Sequence, residues 1–596
     1  MFLPKLNNIA TQRDVVEVFK GYNHNLRIGD GEFYDMKNLT STHYPVLSPR
    51  GKRGTYLTAT SPQGMIAKDA LCYVDGAEFV INEYRIDMGL NDEPKQLISM
   101  GAYVIIMPDK KYINTLDLTD FGNIEATFPA EEGQLLTATY EMCKLDGTVY
   151  TGTTKSPDAP EEPTNMQLWI DTSSTPHSLK QYSETSKTWV TIPTTYIKIS
   201  APNIASAFKK YDAVKISGFP EESSQLKEIE GNTFPLWEAY HDEGNDERAE
   251  GTDDYIVIRG LLDEAVTYET ALRLERTMPE MDFIIESENR LWGCRYGIAA
   301  NGQVVNEIYA CKLGDFKNWN CFMEVSTDSY VASCGTDGQF TGAITHLGYP
   351  LFFKENCVHK VFGNYPANFQ IQTTACRGVQ KGSSKSLAIV NEVLYYKSRN
   401  AVCAYDGSLP NEISAALGEA SYSDAVACSY GNKYYISMKD AAEEYHLFAY
   451  DTAKGLWHKE DNIAVKHFCS CRNELYFIEK DSSAIRTMFG SGTVDTDPVK
   501  WMAETGVLGM YTPDKKYISK ISVRLSLEIG TKIYIYAQYD SCGEWEQLSS
   551  MTSTSLRSFS IPIRPKRCDH FRLRIVGEGD AKIYSITKTC EQGSDI

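Results

Sequence analysis

The side chains best suited to acid–base chemistry lie between Trp457 and Asp461, where the sequence reads Trp-His-Lys-Glu-Asp. A histidine beside two carboxylates can exchange protons near neutral pH, because its unperturbed pKa is about 6.5. A glycosidase needs two carboxyl groups that face each other at a set separation, and the sequence does not show such a geometry. The segment lies at a turn on the edge of a predicted sheet. We therefore interpret it as a structural hydrogen-bonding corner.

Other signatures of catalysis or metal binding are missing from the sequence. It contains no serine-nucleophile elbow, phosphate-binding loop, HExxH zinc helix or kinase motif set. The ten histidines are dispersed, and among fifteen cysteines only Cys469 and Cys471 lie close together. No cysteine or histidine spacing matches a zinc site. We therefore assign no catalytic, cofactor-binding or metal-binding residue, expect no cofactor, and expect that the chain is not an enzyme.

Aromatic side chains offer a second kind of site, because exposed rings can stack on sugar rings. The candidates are Trp292, Trp319, Trp457, Trp501 and Trp545. All but one of them lie within alternating or repeating strand patterns, in which packing into a core is the expected role. The cysteines, odd in number and dispersed, predict buried reduced thiols in a chain made in the cytoplasm.

The elements that would position these residues repeat along residues 281–490. Each repeat has an apolar strand, a turn opened by Asn or Gly, and a second strand rich in aromatics. Corresponding residues of the second strand are Leu291, Leu351, Leu394, Tyr434 and Leu475. After a first step of 60 residues, the steps are 43, 40 and 41. A period near 40 built from short strands predicts the blades of a β-propeller. The neighbouring aromatic residues Trp292, Phe352, Tyr395, Tyr435 and Tyr476 should then lie on equivalent strands.

Two similar units come earlier in the chain. Residues 70–81 read as a hairpin with the turn Asp75-Gly76, and residues 95–116 contain three further short strands. With the five later repeats they predict a propeller of about seven blades.

A long interruption, residues 128–278, separates the second and third predicted blades. It contains the linker-like stretch Lys155–Pro163, five short strands and a short helix predicted over Ile204–Lys210. These elements predict a small, β-barrel-like inserted domain.

The insert also carries the strongest local charge of the chain. Between Glu221 and Asp254 there are twelve acidic and two basic residues, a net charge of −10. We interpret this stretch as a solvated, mobile loop. Its segment Asp242–Asp246 lacks the ligand spacing of an EF-hand calcium site.

After the repeats, residues 499–596 alternate apolar and polar positions, which is typical of an antiparallel sandwich with one wet face. The predicted fold class is thus all-β: a propeller of about seven blades, an inserted barrel-like domain and a C-terminal β-sandwich. The predicted domains are an N-terminal segment (1–60), blades 1 and 2 (61–127), the insert (128–278), blades 3 to 7 (279–494) and the sandwich (495–596).

The charge of the whole chain limits its partners. With 79 acidic and 59 basic residues, the formal net charge is −20, which argues against a general binder of nucleic acid or anionic membranes. It does not exclude a protein that DNA slides past. The sequence has no signal-peptide pattern at its start and no apolar run long enough to span a bilayer.

Several short motifs resemble a known family. Asp30-Gly31-Glu32, Met36 to Leu39, Tyr44 to Leu47 and Arg50-Gly51 resemble the opening segment of propeller proteins in bacteriophage tails. Further motifs resemble structural proteins from phages and prophages of Gram-positive gut bacteria; they are Glu288 to Gly293, Asn306 to Tyr309, Leu351 to Glu355, Tyr405 to Gly407 and Arg567 to His570. The resemblance covers most of the chain outside the acidic insert, which has no matching counterpart.

The resemblance implies a virion structural protein of the tail, synthesised in the host cytoplasm. By architecture it is similar to the nozzle or head-to-tail stabilising proteins of short-tailed phages. Such a protein forms a homo-oligomeric ring, joins the portal or adaptor to distal tail proteins, and lets double-stranded DNA pass without specific binding. The alternative is a tail-tip module that recognises cell-surface glycan through the sandwich or the insert, and an enzyme comes third.

Overall fold

The computed structural model describes residues 11–244, 249–299, 301–510, 515–552, 556–561 and 566–592. The fold is all-β, a propeller with an inserted β-rich domain and a C-terminal antiparallel sandwich, as predicted. Helical structure in the described chain consists of one α-helix and three 3₁₀ turns: Ser224–Glu228, Pro366–Asn368, Ser384–Ser386 and Ala415–Leu417. The chain forms two compact units, one of residues 1–97, 338–360 and 372–596, the other of residues 98–337 and 361–371.

Sheets 1 to 6 of the propeller, numbered along the chain, each contain four strands that follow one another across the sheet, and sheet 7 contains five. Five sheets lie wholly or mainly in the first unit. Their strands are Pro62–Lys68, Ala70–Asp75, Glu78–Ile81 and Tyr84–Asp87 (sheet 1); Gly342–His346, Tyr349–Lys354, Cys357–Phe362 and Gln370–Ala375 (sheet 4); Ala388–Val390, Val393–Lys397, Val402–Tyr405 and Asn411–Glu412 (sheet 5); Ser423–Tyr430, Lys433–Lys439, Tyr445–Asp451 and Leu456–Lys459 (sheet 6); and Val465–Cys471, Glu474–Glu479, Ala484–Thr487 and Gly54–Thr58 (sheet 7).

Consecutive sheets of the first unit pack against each other through aromatic and aliphatic side chains. The rings of Phe353 and Tyr396 join sheets 4 and 5 with centroids 5.2 Å apart, and those of Tyr395 and Tyr434 join sheets 5 and 6 at 5.4 Å. Further apolar cores join sheet 6 to sheet 7 and sheet 7 to sheet 1. Each sheet thus buries its faces against its neighbours, which a blade cannot do alone.

Sheet 7 is completed by a strand from the other end of the repeat array. Gly54–Thr58 pairs antiparallel with Ala484–Thr487, with Thr58 opposite Ala484, and the short strand Thr493–Val494 pairs on its other side. The first and last parts of the propeller are therefore held together by backbone hydrogen bonds. The number of blades stays a prediction.

The second unit contains sheets 2 and 3, which share one core that includes Ile105, Ile284 and Leu291. Their strands are Gln96–Met100, Tyr103–Met107, Lys111–Asn114 and Phe121–Asn123 (sheet 2), and Phe283–Ser287, Arg290–Ile298, Val304–Ala310 and Tyr330–Ser333 (sheet 3).

The predicted equivalence of the repeat aromatics is confirmed. Each of the five residues lies in the second strand of its sheet: Trp292, Phe352, Tyr395, Tyr435 and Tyr476. The period near 40 therefore marks a real structural repeat.

The insert leaves and returns at paired residues. Its first strand, Ala126–Phe128, pairs with its last, Arg273–Arg276, and Ala126 lies opposite Arg276. The insert contains three sheets. In the order across each sheet, the first consists of Ala126–Phe128, Arg273–Arg276, Ala213–Ser217 and Thr233–Pro235, and the second of Glu238–Tyr240, Tyr255–Arg259, Tyr196–Ser200, Leu136–Cys143 and Val266–Thr270. The third consists of Thr154–Ser156, Leu168–Asp171, Ser178–Ser183 and Thr188–Thr191. The first two sheets cover one shared core, and the third packs into a smaller core together with Met142 of the second sheet.

The helix predicted over Ile204–Lys210 is wrong. Its backbone N–H groups bond three residues back, as in Ser206 to Asn203 and Phe208 to Ala205, so the segment is a series of tight turns. Asn203, at its start, has a φ of 61°, which is outside the helical region. The apolar spacing arose because the turns bury Ile204 and Phe208 in the insert core.

The C-terminal sandwich recruits strands from the N-terminal segment. Its two sheets consist of Thr11–Val16, Ala581–Gln592, Lys516–Leu527, Arg557–Ile561 and Arg567–Cys568; and Gly21–Tyr22, Glu32–Lys37, Lys500–Thr505, Phe571–Glu578, Lys532–Tyr539 and Glu546–Met551. A further short hairpin pairs Leu39–Thr40 with Ser48–Pro49. The N-terminal strands are short and irregular, which explains why the sequence shows little periodicity there. The predicted domain boundaries stay predictions.

Replacing residues 129–273 by a short Gly/Ser linker is expected to leave the propeller sheets folded, because the linker spans only the gap between paired neighbours. Circular dichroism and urea unfolding of the shortened chain would measure this. The matched control replaces residues 103–123 by the same linker, which removes strands of sheet 2 and should abolish folding. Aggregation of both chains would contradict the independence of the insert.

Candidate functional site

Three segments of the first unit meet in what we call the joint: residues 38–53, 451–461 and 495–500. Asn38 holds them together. Its φ is 55°, a conformation that Asn tolerates better than most residues, and its Nδ2 donates to the carbonyl of Lys500 at 2.8 Å. Its backbone N–H donates to the carbonyl of Glu460, and its Oδ1 accepts from Nε of Arg50 at 2.9 Å. A short polar side chain in a left-handed turn thus connects the three segments.

The centre of the joint is a buried group of arginines and carboxylates. The Arg53 side chain is 2% exposed; it donates to Glu460 Oε2 at 3.1 Å and also bonds Asp461 Oδ2. Burial opposes the charge of Arg53, but Asp461 and Glu460 outweigh it and raise its pKa. For Arg50, burial and the nearby Arg53 lower the pKa. The group is therefore an ion-pair network in which each carboxylate has an arginine partner.

A second polar group lies beside it, around Asp451. The Asp451 carboxylate accepts from Ser41 Oγ at 2.5 Å and from Lys454 Nζ at 3.0 Å. Burial alone would raise the pKa of Asp451, but these two donors hold it below its usual range. Lys433 Nζ donates to Thr40 Oγ1 at 2.7 Å, and burial lowers the pKa of Lys433. These contacts fasten the N-terminal hairpin to sheet 6.

The segment Trp457–Asp461 has the structural hydrogen-bonding role that the sequence predicts, but its first three residues lie in the strand Leu456–Lys459 and not at a turn. The Trp457 ring is 2% exposed, and its Nε1 donates to the carbonyl of Ile413 at 2.7 Å. His458 is buried, and burial together with Lys433 lowers its pKa to about 3, so it is neutral at physiological pH. Glu460 and Asp461 form ion pairs with Arg53, so the side chains of this segment hold the joint together.

Two cavities flank the joint. One, of about 540 Å³, is lined by Arg50, Arg53, Arg486 and Lys500 among other residues; we call it the arginine cavity. The other, of about 530 Å³, is lined by residues of sheet 6 and of the N-terminal hairpin, including Asp451. The first presents mainly cationic donors, which suits the binding of an anion.

Two further clusters of titratable side chains lie on sheet 6. The Asp424 carboxylate accepts from Tyr445 Oη at 2.5 Å and pairs with Lys480. Asp440, Glu444 and His446 each offer a ligand atom within 4.8 Å of the others, so they are the described residues best placed to hold a metal ion. Sequence reasoning missed this second cluster; its signal was an Asp, a Glu and a His within seven residues across one turn.

The tryptophans lie mostly in cores. Trp292, Trp319, Trp457 and Trp501 are at most 3% exposed, which confirms the packing role predicted for most of them. Trp545 is only partly buried, and the Arg574 guanidinium lies 4.0 Å from its ring centroid. The Trp545 ring therefore makes a cation–π contact with Arg574.

The acidic stretch is more ordered than predicted. It contains the helix Ser224–Glu228 and two short strands. Asp254 is fully buried and accepts from the backbone N–H groups of Asp242 and Ala205. Among its acids that the structure describes, six are exposed: Glu221, Glu222, Glu228, Glu243, Glu250 and Asp253. The interpretation as one mobile loop is therefore wrong for the described part, because several acids bond the backbone; Asp246 of the segment Asp242–Asp246 lies outside the described residues.

No protein family matches the chain, and no curated protein matches it in sequence. Solved structures do match, at low similarity. The exo-β-1,3-galactanase of Phanerochaete chrysosporium shows 8% identity and a TM-score of 0.22, covering 51% of this chain and 94% of its own. A putative 6-phosphogluconolactonase of Bacteroides fragilis shows 12% identity and a TM-score of 0.21, covering 61% and 96%. Trypanosoma rangeli sialidase shows 8% identity and a TM-score of 0.18, covering 90% and 95%.

These similar structures are enzymes, and this overturns the expectation that the chain is not an enzyme. A likeness at this level reflects the fold and assigns no activity.

Two further expectations concern membranes and thiols. Among the described residues, none of the helices has the length and apolar character needed to cross a membrane. None of the fifteen cysteines, all of which lie in the described part of the chain, forms a disulfide, and Cys542 is the exposed one. Burial raises the pKa of several others, to about 12 for Cys311 and about 11 for Cys321, which disfavours the reactive thiolate.

Proposed function

We propose that this chain is a structural protein of a bacteriophage tail, a ring-forming nozzle or connector component. Copies of it would join a portal or adaptor to distal tail proteins and guide DNA out of the particle. The observation that carries the proposal is the position of the motif residues behind the family resemblance, because they build the joint.

The motif residues of the N-terminal segment have structural roles that explain their types. Gly31 has a φ of 90°, and a Cβ there would lie 2.3 Å from the carbonyl oxygen of Val18, so only glycine fits. Met36 and Leu39 are fully buried in the core shared by the sandwich and sheets 5 and 6. Asn38 and Arg50 bond each other inside the joint. The motif residues therefore attach the sandwich to the propeller. A protein with the same motif would share this arrangement of a sandwich joined to a propeller.

The same segment ties both ends of the chain into the fold. Thr11–Val16 pairs with Ala581–Gln592 of the sandwich, and Gly54–Thr58 pairs with Ala484–Thr487 of sheet 7. Opening either module breaks strand pairs formed by this one segment. Such cross-connection suits a subunit that must keep its shape while DNA moves through an assembly.

Purified protein, studied by light scattering and negative-stain electron microscopy, should form closed rings of uniform size. Antibody against this chain should label the tail of the virion, below the portal. A monomer at high concentration that binds cell-surface glycan with measurable affinity would instead support the tail-tip alternative and contradict the ring.

Acidic surface is the feature expected to keep DNA from binding in such a ring. DNA phosphates attract Lys and Arg, so a wall that DNA slides past should be neutral or acidic, in line with the net charge of −20. Neutralising the six exposed acids of the stretch 221–254 to Gln or Asn should slow DNA ejection while rings still assemble.

The buried acids Asp242 and Asp254 stay unchanged in this variant, because they hold the backbone of the insert. A matched control neutralises six exposed acids of the propeller and sandwich: Glu83, Glu392, Glu419, Glu443, Glu528 and Glu544. Ejection at the normal rate in the first variant, measured by dye release from virions, would rule out a channel-lining role. Equal slowing in both variants would point to overall charge instead.

A further inference from the structure

The arginine cavity concentrates positive charge in an acidic protein. Its lining includes six cationic residues, Lys37, Arg50, Lys52, Arg53, Arg486 and Lys500, and two carboxylates, Asp495 and Asp497. The chain as a whole has a net charge of −20. A cluster of this kind is costly unless anions lie nearby, because like charges repel. The neighbouring Glu460 and Asp461 offset part of it through Arg53.

Two donors of the cavity lack an acceptor. The Nε atoms of Arg53 and Arg486 are buried, and neither has a hydrogen-bond partner among the described residues. The Arg53 side chain is 2% exposed. A buried N–H without an acceptor costs on the order of 1–3 kcal/mol. An oxygen-bearing anion in the cavity would supply the acceptor.

The positions of the cations suit a small oxyanion. Arg53 is held at the buried side by its carboxylates, and Arg486 is held by Asp495 at 2.6 Å. Lys37, Lys52 and Lys500 are exposed, so their ammonium groups can reach a ligand from the solvent side. Planar guanidinium groups below and flexible lysines above are a recurring arrangement for phosphate groups. A volume of about 540 Å³ admits a phosphate together with a small organic group.

We propose that the arginine cavity is a binding site for a phosphate group, either free phosphate or a phosphate monoester of a small molecule. The phosphate oxygens accept from the arginines at its base and from the lysines at its rim. The site lies between the N-terminal segment and the segment that leads into the sandwich, so an occupied site also strengthens the joint.

Isothermal titration of the full chain with inorganic phosphate, at constant ionic strength, tests the proposal. Saturable binding of one phosphate per chain and a rise in melting temperature are expected. Titration with glycerol 3-phosphate distinguishes the two sources: tighter binding than inorganic phosphate shows a monoester site, and equal or weaker binding shows a site for the free ion.

The variants Arg486→Gln and Lys500→Gln should each weaken binding on the order of tenfold, since each removes one charged donor. Lys500 is exposed, so its replacement tests the site even if Arg486→Gln impairs folding. The matched control is Lys532→Gln, which removes an exposed lysine of the sandwich and should leave binding unchanged.

Three results would overturn the proposal. The first is no binding at 10 mM phosphate. The second is that Lys532→Gln weakens phosphate binding as much as Arg486→Gln and Lys500→Gln do. The third is binding of an acidic peptide by a chain that does not bind phosphate.

Discussion

The free energy of unfolding is expected to fall by about 6 kcal/mol between pH 7.5 and pH 5, through three buried histidines that stay neutral in the folded state. Burial, with nearby lysines, lowers the pKa of His458 and His467 to about 3 and that of His359 to about 4. In the unfolded chain the same side chains bind protons at their ordinary pKa of 6.5.

The sign of the effect follows from these pKa values. Well above pH 6.5 neither state binds these protons, so they do not affect stability. As the pH falls below 6.5, the unfolded chain gains protons that the folded chain cannot accept until pH 4 or 3. Each histidine then costs about 1.4 kcal/mol per pH unit, or about 2 kcal/mol by pH 5.

Urea unfolding followed by tryptophan fluorescence, at several pH values from 7.5 to 5, measures this slope. The variant His458→Gln should reduce the loss by about one third, whatever its stability at neutral pH. His43→Gln, which removes an exposed histidine, is the control and should keep the slope of the parent protein. An identical slope in His458→Gln would show that this side chain is not a buried neutral histidine.

Replacing Arg53 by Met is expected to destabilise the protein by about 3–5 kcal/mol, because it leaves buried carboxylates without their main partner. The side chains of Glu460 and Asp461 are only 4% and 13% exposed. The triple variant Arg53→Met, Glu460→Gln, Asp461→Asn should recover most of the loss, since it removes the unpaired charges as well. Urea unfolding at pH 7.5 measures all variants.

The matched control is Arg377→Met, which breaks an ion pair with Glu412 between side chains that are 57% and 42% exposed. Such a surface pair is worth about 1 kcal/mol or less. If Arg53→Met costs no more than Arg377→Met, the joint is not held by its ion pairs.

The regular parts of the fold could be predicted from sequence because their signals are local. The turn-opening Asn residues and the aromatic second strands recur with the period of one blade, and alternation in residues 518–527 matches the long strand Lys516–Leu527. Both patterns arise from burial within a single hairpin or sheet. The helix predicted at Ile204–Lys210 failed because buried turns produced an apolar spacing that mimics a helix.

The candidate site could be predicted only in part. The segment Trp457–Asp461 was recognisable from its composition, and its structural hydrogen-bonding role followed from its predicted position at the edge of a sheet. Its partners Arg50 and Arg53 are about 410 residues away along the chain, at a separation of 411 and 408 from Asp461. No local pattern links residues so distant, so the ion-pair network and the arginine cavity were not predictable.

The sequence by itself determined the all-β class, the blade repeat, the place of the insert and the sandwich, because each depends on hydrophobic periodicity within short segments. Only the tertiary structure decided where the N-terminal segment pairs, since Thr11–Val16 joins the last strand of the sandwich and Gly54–Thr58 joins sheet 7. Short strands carry too few residues to show alternation, and their partners are chosen by the free edges that the rest of the fold leaves open.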